Sequence, residues 1–233
     1  MIEIIRDERA VFIPEISAVV IADMHLGYEE SLAREGIKIP NSLERMIKRI
    51  RKILHEKNAE KLIILGDVKH SIGKYHRLGD LESLDAEIII VKGNHDGGIE
   101  SLIKAKVYPP SGFSMGDYGF IHGHSWPDEE VMRKKYVLMG HIHPEISLVD
   151  SLGKKHRFPC FLVGSLTETG REKYGANPRI FVLPAFNPMV GSSIADPIGP
   201  LLKNEIIGDF EVYLLNGTYL GKLEELQPAG LDV

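Results

Sequence analysis

Short apolar runs recur along the first 140 residues of the chain, and polar side chains follow each of them at once. The runs occupy residues 18–22, 62–65, 87–91, 119–121 and 137–139. Short, continuous runs rich in Val, Ile and Leu are typical of strands that are covered on both faces. We therefore predict that these segments are buried strands and that the polar residues after them lie at strand ends.

Helical patterns separate the first three runs. Residues 41–57 place Leu, Met and Ile along one stripe, and Asn41 with Glu44 forms a capping pair at the start. The opposite face is basic, which we interpret as a solvated surface in preference to a nucleic-acid contact. Shorter helices are predicted within 26–38 and at 80–84, 97–105 and 128–135. This β-α-β-α-β-α order predicts a parallel sheet with helical crossovers.

The pattern changes after Pro109 and Pro110, where the strands become short and the turns close. Strands are predicted at 146–149, 159–163, 179–183 and 210–215, and one at 10–13 near the amino terminus. Residues 189–203 are rich in Gly, Ser and Pro and predict a long loop. Because repeats and an evident linker are lacking, we expect a single domain over residues 1–233 with a second, antiparallel or mixed sheet.

Composition excludes several classes of protein. The chain has 233 residues, 43% hydrophobic and 26% charged, which suits a soluble domain with a sizeable core. The net charge of −5 argues against a protein whose main task is coating nucleic acid. The single cysteine, Cys160, permits neither an intrachain disulfide nor a Cys-based zinc site. The amino terminus does not resemble a signal peptide, and no run approaches the roughly 20 apolar residues of a membrane span. We therefore expect a cytoplasmic protein without membrane partners.

The polar residues after the five runs have the chemistry of metal ligands. Each would cost on the order of several kcal/mol to bury without a partner. Divalent metal ions remove this cost, because mixed carboxylate and imidazole sites suit zinc, iron or manganese. Seven ligands exceed the ordinary coordination of one ion and fit two ions if one carboxylate bridges them. The seven residues are Asp23, His25, Asp67, Asn94, His122, His141 and His143.

Two ions about 3.5–4 Å apart form a clamp that is used to hydrolyse phosphate esters. Such a clamp supplies hydroxide near neutral pH and neutralises charge on the phosphoryl oxygens. His95 differs from the seven ligands, because it neighbours one of them and precedes a carboxylate, Asp96. We predict that protonated His95 donates to the phosphoryl oxygen or to the leaving group, and that Asp96 orients its ring.

The ordered motifs resemble the five motifs of calcineurin-like metallophosphoesterases, over about residues 18–145. The resemblance implies an α/β (α+β) four-layer sandwich, in which two mixed β-sheets pack face to face and are flanked by helices. It implies that Asp67 bridges two metals and that His95 is the catalytic histidine. It also implies one metal on Asp23, His25 and His143, and the second on Asn94, His122 and His141. The motifs are Asp23-Met24-His25, Gly66-Asp67, Gly93-Asn94-His95-Asp96, His122-Gly123-His124 and Gly140-His141-Ile142-His143.

Segments 23–29, 66–71 and 122–127 resemble the archaeal branch of phosphoesterases related to bacterial ligase-associated DNA-repair nucleases. This likeness is the only support in the sequence for a nucleotide or nucleic-acid substrate. His70 is interpreted either as an exposed loop residue or as a phosphate contact, with Lys69 as a helper. His124 is interpreted as a residue that supports the ligands or faces the substrate, because His122 comes first after the strand. Trp126 is interpreted as a core residue, with base stacking as the alternative, and residues 154–157 as a basic hairpin tip.

The leading hypothesis is therefore a dinuclear phosphoesterase that hydrolyses phosphodiester bonds by direct attack of a metal-bridging hydroxide. The alternatives are a scaffold or binding module that kept the fold, and a metal-dependent protein phosphatase. The scaffold is disfavoured because the seven ligand positions and His95 are all present. Manganese is the expected ion, with nickel, cobalt, iron or zinc as alternatives. The physiological substrate and the choice between monomer and homodimer stay open.

Overall fold

A computed structural model describes residues 1–37, 42–70, 78–193 and 198–226. Two β-sheets form its centre, and the strands of the first sheet follow one another in chain order. Strands β3 to β6 are parallel, whereas β1 and β2 are antiparallel additions at one edge. The strands are β1 (Glu3–Ile4), β2 (Val11–Ile13), β3 (Ala18–Ile21), β4 (Lys61–Leu65), β5 (Glu87–Val91) and β6 (Lys106–Tyr108).

The second sheet has the spatial order β13-β10-β11-β12-β9-β8-β7, and β14 pairs with β11 and with β15. Strands β8, β9 and β12 run parallel, and most other neighbours are antiparallel, so the sheet is mixed as expected. Its strands are β7 (Phe113–Met115), β8 (Tyr118–Ile121), β9 (Tyr136–Met139), β10 (Pro144–Val149), β11 (Lys155–Leu166), β12 (Arg179–Val182), β13 (Ser192–Ser193), β14 (Ile207–Leu214) and β15 (Tyr219–Lys222).

Helices cover the outer faces of both sheets. Helix α2 places its apolar stripe on the first sheet, and α4 and α5 pack on the second. Asn41, which was expected to cap α2, lies outside the described residues. The helices are α1 (Tyr28–Arg34), α2 (Ser42–Lys57), α3 (Gly79–Glu82), α4 (Glu129–Met132), α5 (Glu168–Tyr174), α6 (Gly199–Lys203) and α7 (Leu223–Leu226).

Alternation along the strands divides the core into layers. In β3, Ala18 and Val20 belong to the cluster between the sheets, whereas Val19 and Ile21 belong to the cluster beneath the helices. Successive side chains of a strand point to opposite faces, so an apolar run fills both layers at once. The expected four-layer sandwich is confirmed, and the continuous apolar runs are explained by it.

Several local predictions were wrong. Residues 97–105 form only a 3₁₀ turn at Ile99–Ser101, after Gly98 in a left-handed conformation with φ 73°. The loop predicted at 189–203 contains β13 and α6. Helix α5 was not predicted, although the Thr167 hydroxyl accepts a hydrogen bond from the Gly170 N–H at its start. Trp126, interpreted as core, is 43% exposed. None of the helices in the described parts of the chain is long and apolar enough to cross a membrane.

Candidate metal centre

The carboxyl ends of five strands from the two sheets meet at one place. Strands β3, β4 and β5 of the first sheet lead into the motifs that begin at Asp23, Gly66 and Gly93. Strands β8 and β9 of the second sheet lead into His122 and Gly140. Parallel strands put their carboxyl ends at the same edge of a sheet, which is where ligands collect in open α/β folds.

Five of the predicted ligands leave their strands through a left-handed backbone conformation. Such conformations cost roughly 1–2 kcal/mol for a residue other than glycine, although His, Asp and Asn adopt them more readily than most. Backbone strain of this kind is therefore concentrated at the polar cluster. The φ angles are 53° for Asp23, 42° for His25, 47° for Asp67, 69° for His141 and 49° for His143.

Gly93 provides space for Asp67. Its φ is not in the left-handed region, so the turn itself does not require a glycine here. The glycine is required by close packing, because a Cβ atom on residue 93 would overlap the Asp67 carboxylate and backbone nitrogen. The two motifs can approach only because residue 93 has no side chain.

The predicted ligands form two groups around Asp67. Ligand atoms of Asp23, His25 and His143 lie within 4.8 Å of one another, and the same holds for Asp67, His122 and His141. One oxygen of Asp67, Oδ2, lies 3.6 Å from the Nε2 atom of His25 in the first group. The same oxygen lies 3.5 Å from the Nε2 atom of His122 in the second. The Asp67 carboxylate therefore lies between the two groups.

Asn94 belongs to the second group. Its Oδ1 atom lies 3.3 Å from the His122 Nε2 atom. The other nitrogen of this ring, Nδ1, donates to the Leu65 carbonyl at 2.8 Å, which fixes the imidazole orientation. An anchored Nδ1–H is the usual arrangement of a histidine that binds metal through Nε2.

Buried polar atoms without a hydrogen bond indicate that the cluster fits cations. The Oδ1 atom of Asp23 and the Nε2 atoms of His25 and His143 are buried, and none makes a well-aligned hydrogen bond in the described part of the chain, although Asp23 Oδ1 lies 3.1 Å from His143 Nε2. Buried polar atoms are normally satisfied, and each exception requires an explanation. Carboxylate oxygens and imidazole nitrogens that converge in this way fit first-row divalent metals.

The electrostatics of the cluster agree with this fit. Burial lowers the pKa of His25 and of His141 to about 4, so both rings are neutral at pH 7 and offer a lone pair. Burial also opposes charge on His122, but the Asp67 and Asp23 carboxylates outweigh it and raise its pKa to about 9. Without metal, a protonated His122 therefore balances part of the negative charge. Metal ions would replace that proton.

His95 lies beside the two groups, and its ring is held by a backbone carbonyl. The His95 Nδ1 atom contacts the carbonyl oxygen of His70 at 2.6 Å. Because a carbonyl only accepts, Nδ1 must carry the hydrogen, and Nε2 is left for other contacts. The His95 backbone N–H also donates to Asp67 Oδ1 at 2.9 Å, which joins the two motifs.

The prediction that Asp96 orients the His95 ring was wrong. Asp96 is fully buried and accepts backbone N–H groups: those of Val68 at 3.0 Å and Lys69 at 3.3 Å on Oδ1, and that of Gly93 at 2.9 Å on Oδ2. The carboxylate therefore ties the loop after Asp67 to the loop after β5.

His70 lines the entrance to the cluster. Its half-buried ring stacks on His95 with centroids 5.7 Å apart and meets the Tyr28 ring edge-on at 4.8 Å. Lys69 does not fit the role of helper at an exposed mouth, because it is 1% exposed and its ammonium group donates to the Gly97 carbonyl at 2.7 Å. His124 lies on the other side, with its ring centroid 5.1 Å from that of His122.

Sequence reasoning missed Asn187, which is fully buried and donates its Nδ2 hydrogen to the Met24 carbonyl at 3.0 Å. A polar amide between Phe186 and Pro188 in a largely apolar segment was the available signal. Its partner lies 163 positions away in the sequence, so only the fold reveals the contact.

Comparisons with known proteins agree with the geometry. The family model described as calcineurin-like phosphoesterase matches residues 16–155. Among solved structures, nuclease MPE from Pseudomonas putida is similar, with 21% identity, 89% of each chain covered and a TM-score of 0.57. YfcE, a phosphoesterase from E. coli, has 15% identity, covers 88% of this chain and 97% of its own, and has a TM-score of 0.41. No protein with curated function matches the sequence. The chain belongs to the calcineurin-like phosphoesterase family and is a metal-dependent phosphoesterase.

Proposed function

We propose that the protein is a dinuclear phosphodiesterase. The observation that carries the proposal is the position of Asp67, whose Oδ2 atom lies within 3.6 Å of a histidine nitrogen in each ligand group. A carboxylate between two groups of ligands is suited to bridge two ions.

The ligand roles follow the two groups. Asp23, His25 and His143 would hold one ion, Asn94, His122 and His141 the other, and Asp67 would contact both. When bound, two divalent ions make hydroxide available near neutral pH and neutralise phosphoryl charge. We retain manganese as the proposed ion, since oxygen and nitrogen donors both suit it.

The chain's own residues position and protonate the substrate. His95 presents Nε2 to the substrate because the His70 carbonyl occupies its Nδ1–H. A protonated His95 would donate to the leaving-group oxygen or to a phosphoryl oxygen. Asp96 keeps His95 in place indirectly, by holding the loops on which His95 and Asp67 are carried. His70 and His124 border the two sides of the cluster and would contact the phosphate or its substituents.

The proposal is tested by metal reconstitution. The protein is stripped with chelator and assayed on bis(p-nitrophenyl) phosphate, with manganese, nickel, cobalt, iron or zinc added separately. We expect turnover to return with at least one ion at a stoichiometry of two per chain. Full activity with one ion per chain would reject the dinuclear arrangement. No turnover with any ion would favour the scaffold alternative.

A second candidate function, cleavage of a nucleic-acid strand, is favoured by the hairpin formed by β10 and β11. Strand β10 begins at Pro144, directly after the proposed ligand His143. Near the tip, Lys154, Lys155 and Arg157 are exposed, and none has an ion-pair partner among the described residues. Strand β10 has six residues and spans roughly 20 Å at about 3.3 Å per residue, so these cations lie about one strand length from the centre. Unpaired cations at that distance suit a long polyanionic substrate that extends along the hairpin. The structural neighbour from Pseudomonas putida is itself a nuclease.

Charge reversal of the hairpin tests this second function. The triple variant K154E/K155E/R157E should weaken cleavage of single-stranded DNA or RNA, and its salt dependence should become shallower by about 0.7–0.9 for each phosphate contact removed. Turnover of bis(p-nitrophenyl) phosphate should not change. The matched control K48E/R51E/K52E alters the charge by the same amount on the exposed face of α2. Equal effects of both variants, or cleavage of cyclic nucleotides alone, would reject this function.

A further inference from the structure

Asn187 lies outside the region matched by the family model, yet it belongs to a segment that contacts the first metal motif. The Phe186 N–H donates to the Ala22 carbonyl at 2.7 Å, and the Asn187 N–H reaches the Asp23 carbonyl at 3.5 Å. The segment therefore runs beside the chain where it leaves β3. It supplies hydrogen bonds beyond the end of the strand.

The side chain of Asn187 supplies the next hydrogen bond in this series. Its Nδ2 atom donates to the Met24 carbonyl at 3.0 Å, and its Oδ1 atom accepts from the Met189 N–H at 3.0 Å. Met24 lies between Asp23 and His25, both of which adopt left-handed conformations. A buried carbonyl in such an irregular turn cannot be paired within a strand, so a side-chain donor must satisfy it.

Arg9 fixes the same segment from the opposite direction. Only 9% of the residue is exposed, and its Nη1 atom donates to the carbonyls of Ala185 at 3.0 Å and of Asn187 at 3.4 Å. Hydrogen bonds between a charged group and carbonyls are stronger than neutral ones. Arg9 therefore limits the movement of Asn187 relative to the turn at Met24.

The loop that follows β4 also holds the segment around His25 in place. The His25 N–H donates to the Asp67 carbonyl, and the Leu26 N–H donates to the Val68 carbonyl, each at 2.8 Å. The bonds on that side constrain the N–H groups of the motif. Asn187 is on the other side and constrains the carbonyls at positions 23 and 24.

We propose that Asn187 is a positioning residue of the metal centre, whose amide holds the Met24 carbonyl and thereby directs Asp23 and His25 toward their ion. Among the described residues its side chain forms hydrogen bonds with backbone groups, so it acts on the ligands through the backbone. The inference rests on the proposed function only in that the group being positioned is a metal site. Residues that orient ligands typically contribute about 10–100-fold to metal affinity.

Calorimetric titration of the metal-depleted protein with manganese tests the proposal. Asn187→Ala removes the donor, and Asn187→Asp keeps an acceptor for Met189 but places an oxygen opposite the Met24 carbonyl. Both variants should bind manganese about 10–100-fold more weakly than the wild type. Raising the manganese concentration should restore most of the turnover of bis(p-nitrophenyl) phosphate.

Two control variants separate positioning from general stability. Asn204→Ala removes another bond from an Asn Nδ2 atom to a carbonyl, that of Pro200 at 2.8 Å. Ile88→Val removes one buried methyl group near the amino end of β5 and lowers the melting temperature. Both should keep wild-type manganese affinity. If the Asn187 variants lose stability as Ile88→Val does and also keep that affinity, the inference is wrong.

Hydrogen exchange provides a second readout if Asn187→Ala does not fold. In metal-depleted Asn187→Asp, the amides of His25 and Leu26 should exchange at least about ten times faster than in the wild type, since their turn is released. Unchanged exchange would overturn the inference. Wild-type protein that binds no divalent ion would count against the proposed function, whereas the exchange result would still decide the role of Asn187.

Discussion

The two ends of the parallel strands β3, β4 and β5 differ in most physical properties, although one apolar core joins them. At the amino ends, Lys61 and Glu87 begin their strands partly in solvent and form ion pairs with Glu60 and Lys106. At the carboxyl ends, Asp23 and Asp67 are nearly or fully buried.

The difference shows where stability and function are placed in this fold. Surface ion pairs contribute little free energy, because both partners are already solvated. Buried carboxylates are costly, and their cost is offset only by hydrogen bonds, a cation or a proton. Substitutions at the carboxyl ends should therefore change metal binding and turnover, whereas those at the amino ends should leave both unchanged.

The largest effect is expected for Asp67→Asn. The amide keeps the shape of the side chain and an acceptor for the His95 N–H, but it removes the charge shared by the two ligand groups. We expect both ions to be lost and turnover to fall to background, measured by metal analysis and by hydrolysis of bis(p-nitrophenyl) phosphate. Asp85→Asn, an exposed substitution near the amino ends, should behave as the wild type. Retention of two ions by the Asp67 variant would disprove the bridging role.

The next largest effect is expected for His95→Asn, which removes the proposed proton donor and no proposed ligand. Turnover should fall by about 10²–10⁴-fold, the usual contribution of general acid catalysis. Metal analysis should still find two ions per chain. His156→Asn, which changes a partly exposed histidine of the hairpin, provides the control. Loss of metal from the His95 variant would show that His95 is itself a ligand.

A smaller effect is expected for Gly93→Ala. The added Cβ atom would overlap Asp67, and overpacking of this kind costs about 1–3 kcal/mol. We expect a lower melting temperature together with weaker metal binding, measured by thermal unfolding with and without manganese. Gly97→Ala is the matched control, because its Cβ atom would meet nothing within 4 Å. Equal behaviour of the two variants would contradict the close approach of the two motifs.

The smallest effect is expected for Lys106→Ala, at the other end of the strands. It removes an exposed ion pair with Glu87. Since such pairs are screened by solvent, we expect no measurable change in melting temperature, metal content or turnover. A loss of turnover in this variant would show that the two ends of the strands are coupled. It would contradict the assignment of metal binding and turnover to the carboxyl ends alone.

The buried strands β3, β4 and β5 and their parallel arrangement were predictable from the sequence, because each is a continuous run of apolar residues. The strand order of the second sheet was not, and neither were the short elements, among them β6, β7, β13 and β15. Helix α5 has seven residues, too few to show a full apolar stripe, and the segment 97–105 contains two glycines that break its helical pattern. In both cases tertiary contacts and backbone flexibility decided the structure, and a local pattern records neither.

The polar cluster was predictable as a set, but the hydrogen bonds inside it were not. The seven ligand types could be read from the strand ends, and the structure brings them together. Asp96 was assigned to the wrong partner because two of its three true partners, the N–H groups of Val68 and Lys69, lie 28 and 27 positions away. Backbone donors leave no trace in a sequence. Side-chain motifs therefore predict which residues lie close together, but not the hydrogen bonds that fix their positions.

The left-handed conformations of the ligand residues have a practical consequence for mutagenesis. An alanine placed at His25 or His143 would lose an imidazole and would also be forced into a conformation that alanine rarely adopts. The measured loss would then combine two unrelated quantities. Glycine adopts the same backbone and, unlike asparagine, offers no oxygen to a metal ion, so His25→Gly and His143→Gly isolate the contribution of the missing ligand. Alanine scanning of this centre would overstate the importance of each histidine to an extent set by the backbone.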